Sequence, residues 1–172
     1  MKKYFILLTS LFVLSCASEK PQSLSDNCLE VLFSKKHRIY ITTVEQNLML
    51  DNISYSSEIN NSEFVEGCLT LNNEFRASLS TLFIAKPDKA QGSDLVMPYY
   101  IALLDSSRNI IEIQYYTVID NLKQNEDKSS FLETTITDTQ DLIFNFGDKN
   151  TFFQNTLIIG FMLNQEKLDI LN

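Results

Sequence analysis

The sequence has few of the residue types from which most catalytic and cofactor sites are built. It contains one histidine, three cysteines, four glycines and no tryptophan. His37 and so few cysteines cannot supply a histidine-rich zinc centre, and no serine lies in a Gly-x-Ser-x-Gly motif. The glycines are isolated, so dinucleotide-binding and P-loop motifs are absent. We therefore expect no catalytic residues, no metal and no cofactor.

Cations are also scarce, with 14 Lys and Arg against 22 Asp and Glu and a formal net charge of -8. Nucleic-acid binding needs a surplus of cations on one face, so nucleic acid is not an expected partner. The local exception is the basic island Ser34-Lys35-Lys36-His37-Arg38. We interpret it as a solvated loop, with contact to an anionic headgroup or an acidic partner as the alternative.

What is present begins with 44% hydrophobic residues, a content typical of a globular protein and too high for intrinsic disorder. The length suits one domain. At the N-terminus, Lys2 and Lys3 precede the apolar stretch Tyr4–Leu14, which has the length of a secretory h-region and is too short to cross a bilayer as a helix.

The apolar stretch ends in Val13-Leu14-Ser15-Cys16, which resembles the bacterial lipobox. The resemblance implies that Cys16 is acylated and becomes the first residue of the mature chain; an ordinary signal peptide with an incidental cysteine is the alternative. A single such anchor would hold the protein on a membrane without crossing it. Ala17 after the cysteine implies the outer membrane, by the sorting rule of bacterial lipoproteins.

The expected organisation is a lipoprotein signal peptide (1–15), a polar tether (16–27) and one domain (28–172). Within that domain Cys28 and Cys68 remain once Cys16 is assigned to lipid. Export would place them in an oxidising compartment, where two thiols usually form a disulfide. A bridge closing a loop of about 41 residues would stabilise the fold by roughly 4 kcal/mol.

Apolar and polar residues alternate with the period of two that is typical of β-strands. The clearest strands, each with one buried and one wet face, are Ile53–Ile59, Phe75–Phe83 and Ile111–Ile119. Strands buried on both faces are predicted at Leu29–Phe33, Tyr99–Leu104 and Leu157–Leu163. Weaker candidates are Phe64–Leu71, Phe131–Thr137 and Leu142–Phe146. In the stretch Ile111–Ile119, the side chains expected in the core are Ile111, Ile113, Tyr115, Thr117 and Ile119.

Turn-forming residues separate these stretches at Asn60-Asn61, Asn72-Asn73, Asp105–Asn109 and Gly147-Asp148. Asn164 can cap a short helix, Gln165–Leu171. The pattern predicts an all-β fold, an antiparallel β-sandwich of the immunoglobulin or fibronectin type III kind with about seven to nine strands and a short C-terminal helical turn. A lipocalin-like β-barrel is the alternative, although the Gly-x-Trp motif of lipocalins cannot occur without tryptophan.

Four stretches that are expected in the core occur along the chain in the order Cys28–Leu32, Gly67-Cys68, Tyr99–Asp105 and Leu157–Leu168. In that order they resemble a family of small uncharacterised bacterial lipoproteins with a two-cysteine all-β domain. The resemblance covers nearly the whole of the predicted domain. It implies a disulfide and a single all-β domain, and it brings no activity with it.

The candidate partner-binding surface is the phenylalanine-rich stretch Asp141–Phe153. Neighbouring side chains of a strand point to opposite faces, so a short hairpin there could not bury every ring. The candidate contact residues are Phe144, Phe146, Phe152 and Phe153, with Tyr115 or Tyr116 nearby.

These observations predict a lipid-anchored, non-enzymatic module on the periplasmic face of the bacterial outer membrane. It would bind another envelope protein and contribute to binding or assembly there. The alternative is a barrel that carries an apolar small molecule. An interior cavity large enough for a small molecule would distinguish the two, because a packed sandwich contains no such cavity.

Overall fold

Nine strands and one short helix account for most of the chain that the computed structural model describes, residues 28–44, 49–71, 73–146 and 152–171. The elements are β1 (Glu30–Phe33), β2 (Ile39–Thr43), β3 (Ile53–Phe64), β4 (Leu69–Leu71), β5 (Glu74–Pro87), β6 (Asp94–Leu104), β7 (Ile110–Asn121), β8 (Thr134–Asn145), β9 (Thr156–Phe161) and α1 (Gln165–Leu171). The predicted signal peptide, Cys16, the tether and the turn at Gly147-Asp148 lie outside these residues.

The strands form two sheets. The front sheet has the order β1-β9-β6-β7. In the back sheet β2 pairs with β3, and β3 and β4 pair with successive parts of one edge of β5. The other edge of β5 pairs with β8. All pairs are antiparallel except β1 with β9, which is parallel. The predicted all-β sandwich is therefore confirmed, with this one parallel exception.

The inner faces of the two sheets are filled by apolar side chains. Phe83 of β5 is fully buried and lies 5.2 Å from the ring of Tyr99 and 5.7 Å from that of Phe161, both on the front sheet. Leu79, Ile101 and several other side chains of the same two faces are likewise completely buried. Two separate sheets with this packed interior exclude the lipocalin-like barrel that was the alternative.

The alternating stretches Ile53–Ile59 and Phe75–Phe83 form strands with the predicted faces, because Tyr55, Ile59 and Phe75 are buried. The turn predicted at Asn60-Asn61 is wrong. Both residues lie within β3, where a β-bulge between Ile59 and Asn61 accommodates them.

Other strand boundaries also differ from the sequence prediction. Phe131–Thr137 and Leu142–Phe146 contribute to one long strand, β8, and β2 was not predicted at all. β1 is not buried on both faces, because it is an edge strand and Leu32 is 44% exposed. The C-terminal helix is present, and the Asn164 side chain accepts a hydrogen bond from the Lys167 amide at 3.0 Å.

The largest departure concerns β7, whose two faces are reversed. Tyr115 and Ile119 point outward and are 61% and 78% exposed. The inward side carries Glu112, Gln114, Tyr116 and Val118 instead, of which only Val118 is fully buried. The prediction that Ile111, Ile113, Tyr115, Thr117 and Ile119 form the buried face is therefore wrong.

The reason for this reversal is the neighbour of β7, the edge strand β8 of the other sheet. The side-chain amide of Gln114 donates to the Ile143 backbone carbonyl at 2.7 Å. The backbone amide of Asn145 donates to the Glu112 carboxylate at 2.9 Å. Inward polar side chains thus satisfy backbone groups on the open edge of β8, which would otherwise lack partners within the sheet. Apolar side chains at these positions could not form such bonds.

A second set of hydrogen bonds continues this contact into the core. The Tyr99 hydroxyl donates to Asp138 at 2.6 Å, and Gln140 donates to the same carboxylate oxygen at 3.0 Å. The Tyr116 hydroxyl donates to the Gln114 side chain at 2.6 Å. We call this set, Tyr99, Glu112, Gln114, Tyr116, Asp138 and Gln140, the polar seam. It joins the two sheets along the β7–β8 side.

The predicted bridge between Cys28 and Cys68 is present, with Cα atoms 5.1 Å apart. It connects the residues before β1 on the front sheet to the residues before β4 on the back sheet. Cys68 is buried in the core, and Cys28 packs against the same cluster.

Replacing both Cys28 and Cys68 by serine should lower the free energy of unfolding by about 4 kcal/mol, because the unfolded chain regains the freedom of a long loop. Urea unfolding of wild type and the double variant measures this difference. The oxidised and reduced wild-type proteins provide the control, since reduction should reproduce the loss. A double variant as stable as the oxidised protein would contradict this role of the bridge.

Tyr99 should make the fold sensitive to alkaline pH. Burial, together with the hydrogen bond and the negative charge of Asp138, raises the pKa of Tyr99 far above its ordinary value of 10.0. As pH rises past that value the unfolded chain releases the phenolic proton and the folded chain retains it. The stability that Tyr99 contributes is therefore complete below pH 10 and is lost progressively above it.

Tyr99→Phe should accordingly cost about 1.5–3 kcal/mol at neutral pH, through the lost bond to a carboxylate, and should weaken the decline in stability above pH 10. Chemical unfolding at several pH values measures both effects. Tyr115→Phe removes an exposed hydroxyl and should follow the wild type. An identical alkaline decline in wild type and Tyr99→Phe would show that this phenol does not control it.

Candidate functional site

The outer surface of β6 and β7 carries a run of apolar side chains. Directly opposed pairs across the two strands, on the same outer side of the sheet, are Val96 with Ile119, Tyr100 with Tyr115 and Ala102 with Ile113. Ile111 lies near the start of β7, on the same outer side. We call Val96, Ile111, Ile113, Tyr115 and Ile119 the β6–β7 face. Four of these five side chains are exposed large hydrophobic residues.

This surface is unusual for the solvent side of a sheet. An antiparallel sheet with one wet face normally places polar residues there and apolar residues in the core. Here the polar residues of β7 are committed to the polar seam, so the alternation leaves the apolar ones outside. A contiguous exposed apolar patch of this kind typically marks an interaction site.

Packing beside the β6–β7 face holds Tyr100, the register partner of Tyr115, in place. The Tyr100 ring lies across Gly160 of β9, where an added Cβ would be 2.7 Å from the phenolic oxygen. The His37 ring meets Tyr100 edge to face at 5.8 Å, and the His37 Nδ1 donates to the Phe161 carbonyl at 3.1 Å. Only glycine leaves room for this arrangement, so Tyr100 and its neighbour Tyr115 have rigid support from the sheet.

Acidic residues lie at one end of the β6–β7 face. Asp94 begins β6, Asp120 is next to Ile119, and both are exposed. Negative charge at that edge disfavours approach to an anionic lipid surface. The electrostatics of this side therefore favour a protein partner over a bilayer.

The predicted phenylalanine hairpin is not formed. β8 pairs with β5 in the back sheet, whereas β9 pairs with β1 and β6 in the front sheet. The described parts of the stretch Asp141–Phe153 therefore adjoin different sheets: residues up to Asn145 lie in β8 of the back sheet, and Phe152 and Phe153 directly precede β9 of the front sheet. The alternation argument for exposed rings assumed a two-stranded hairpin and does not apply where the flanking strands, β8 and β9, pair in different sheets.

Three of the four candidate phenylalanines belong to the core. Phe144, Phe146 and Phe152 are each at most 2% exposed, and the rings of Phe146 and Phe152 are 4.5 Å apart. They cannot form a contact surface in the folded domain, so their assignment to a partner site is wrong. Phe153 is the exception, at 67% exposed, beside Phe152.

The two candidate tyrosines point in opposite directions. Tyr116 is half-buried and stacks on Tyr99 at 5.4 Å within the polar seam. Burial, with the nearby charges of Asp138 and Glu112, raises the pKa of Tyr116. Tyr115 is the exposed member and lies on the β6–β7 face. Tyr115 therefore lies on the surface, whereas Phe144, Phe146 and Phe152 lie in the core.

Ile119, Ile111 and Val96 were not among the predicted contact residues. Period-two alternation identifies the two faces of a strand and does not say which face is inward. The signal in the sequence was the presence of Glu112 and Gln114, whose side chains can bond the open edge of a neighbouring strand when they point inward. Recognising it requires knowing that β7 adjoins β8, which no local pattern gives.

Within the described residues, no three His, Cys, Asp or Glu side chains are grouped closely enough to hold a metal ion. In the same part of the chain, no helix is long and apolar enough to span a bilayer.

Comparison of the chain with family models, with curated proteins and with solved structures gives no match in any of the three.

Proposed function

We propose that the protein is a lipid-anchored, non-enzymatic binding module of the bacterial outer membrane. Cys16 anchors it on the periplasmic side, and the β6–β7 face binds another envelope protein. The lipobox-like end of the N-terminal apolar stretch and the resemblance to small bacterial lipoproteins support the anchoring. The disulfide is consistent with an oxidising compartment such as the periplasm.

The observation that carries the binding role is the outward apolar side of β7. Ile119 at 78% exposure and Tyr115 at 61% would lose unfavourable contact with water on binding a complementary apolar surface. Burial of apolar area is favourable by about 25 cal/mol per Å² removed from water. Tyrosine is enriched in interface cores, where it adds contact area at a low cost in conformational entropy.

The anchor is tested by Cys16→Ala. This variant should not incorporate a labelled fatty acid, because the thiol that accepts the diacylglycerol is gone. It should be recovered in the soluble periplasmic fraction or as uncleaved precursor, whereas wild type stays with membranes. The matched control is the Cys28→Ser, Cys68→Ser double variant, which should keep the label. Normal labelling and processing of Cys16→Ala would refute the lipobox assignment.

The β6–β7 face is tested by photocrosslinking in the cells of origin. A photoreactive amino acid at Thr117, which is exposed between Tyr115 and Ile119, should give one discrete adduct with an envelope protein. Tyr115→Ser with Ile119→Ser should reduce the yield of that adduct at least tenfold. Both side chains are exposed, so urea stability should change by no more than about 1 kcal/mol.

The control for this experiment is Leu69→Ser with Leu71→Ser, which removes two side chains that are 65% and 63% exposed on β4. It should leave the adduct unchanged. Equal adducts from probes at positions 69 and 117, or loss of the adduct only with Phe153→Ser, would place the contact elsewhere and overturn the assignment.

A further inference from the structure

A second surface feature lies on the front sheet, separate from the β6–β7 face. A cleft of about 650 Å³ opens on the outer side of β1, β9 and the C-terminal end of β6. The loop from Ser34 to His37 bounds one end, and the turn between β6 and β7, with Asp105, Ser106 and Arg108, bounds the other. This volume lies within the range of small-molecule sites.

The floor of the cleft is apolar. Leu32 of β1 and Ile158 of β9 are register partners, and Leu104 of β6 adjoins them. Leu32 is 44% exposed there, so the floor is accessible from solvent. Leu32, Ile158 and Leu104 lie on the outer side of three neighbouring strands and form an apolar strip across the floor of the cleft, about 10 Å from β1 to β6 at two inter-strand spacings.

The walls of the cleft hold cations that have no counter-ion in the described structure. Lys35 and Lys36 line one end and Arg108 the other. The ion pairs among the described residues use different cations, namely Arg38, Arg76 and Lys86. The molecule as a whole has a net charge of -8, so a concentration of unpaired cations at one cleft is a local positive site in an acidic protein.

Two carboxylates also line the cleft, and their positions leave the lysine end cationic. Asp105 accepts hydrogen bonds from the Ser107 and Asn109 amides at 2.8 Å and from the Asn109 side chain at 3.0 Å, so its charge is directed into its own turn. Glu30 lies at the start of β1, at the opposite end of that strand from Lys35 and Lys36.

The turn that presents Arg108 is itself fixed. Arg108 has φ 66°, in the left-handed region that non-glycine residues adopt at a cost, and its amide donates to the Asp105 carbonyl at 2.9 Å. The bonds from Ser107 and Asn109 to the Asp105 side chain close the same turn. The guanidinium is therefore carried by an ordered turn rather than by an open loop.

A second cleft, of about 400 Å³ near Tyr40, Tyr55 and Pro98, has different chemistry. The described residues that line it include Asp94 and no lysine or arginine. The combination of an apolar strip and unpaired cations is thus specific to the larger cleft among these two.

We propose that this cleft binds a single-chain anionic amphiphile, a molecule with one acyl chain and a carboxylate or phosphate head. The head pairs with Lys35 and Lys36, and the chain lies along Leu32, Ile158 and Leu104 toward the turn of Arg108. This role does not depend on the proposed envelope-protein contact, because it uses none of the residues of the β6–β7 face.

The test uses fluorescence of dansyl-undecanoate, kept below its critical micelle concentration, with the full chain carrying Cys16→Ala so that no attached acyl group competes. Emission should rise on binding, and laurate and dodecyl phosphate should displace the probe. Neutral dodecanol should displace it at least tenfold less well. Equal displacement by dodecanol, or by an acidic peptide without an acyl chain, would overturn the proposal.

Variants locate the site. Lys35→Gln with Lys36→Gln should weaken probe binding at least tenfold, and Leu32→Ser should weaken it several-fold. The matched controls are Lys123→Gln with Lys128→Gln for charge and Leu69→Ser for apolar exposure, and both should bind as the parent does. Parent-like binding by the Lys35, Lys36 and Leu32 variants would refute the site.

A vesicle arm separates a free amphiphile from a membrane surface. Flotation with phosphatidylglycerol and phosphatidylcholine vesicles should show no retention that depends on Lys35 and Lys36. Retention on phosphatidylglycerol vesicles without any binding of the monomeric probe would replace the cleft with a membrane-contact role for the basic island, and would overturn the proposal.

Discussion

The structure depends on how the open side between β7 and β8 is closed. Two sheets that do not join into one hydrogen-bonded cylinder leave edge strands whose backbone groups need partners. Glu112 and Gln114 supply those partners from the side chains of β7. Since side chains alternate along a strand, the inward direction of these two residues also fixes the direction of the remaining side chains of β7.

The interior beside the polar seam is built from aromatic rings rather than from polar groups. Phe83 of the back sheet contacts both Tyr99 and Phe161 of the front sheet. Tyr99 belongs to both regions, because its ring lies in this cluster and its hydroxyl reaches Asp138. One residue thus couples apolar packing to the hydrogen bonds that set the direction of β7.

Sequence patterns predicted the parts of the fold in which local chemistry is sufficient. In β5, Phe75, Leu79 and Phe83 lie on one side of the strand and are completely buried, as expected. The hairpin turn at Asp105–Asn109 was also predicted, because an aspartate can accept bonds from the amides that follow it. Asn73, with φ 65°, occupies the left-handed conformation that its type tolerates.

The candidate site could not be predicted in the same way, because it depends on contacts between elements far apart in sequence. β7 shows the same period as β5, yet its apolar side is outside. Phe144 and Phe152 lie in a segment whose sequence favours a hairpin with exposed rings, yet both are buried and the flanking strands, β8 and β9, belong to different sheets. In each case the deciding fact was the identity of the neighbouring strand, which alternation within a single segment does not contain.

The position of the disulfide has a mechanical consequence. β1 is only four residues long and is held by a single neighbour, β9. Tension applied to the chain ahead of Cys28 would reach the bridge before it reached β1, and would pass through the covalent bond to Cys68 in the back sheet. The load is thereby spread over both layers, and the short strand is protected from being peeled off the edge of the sandwich.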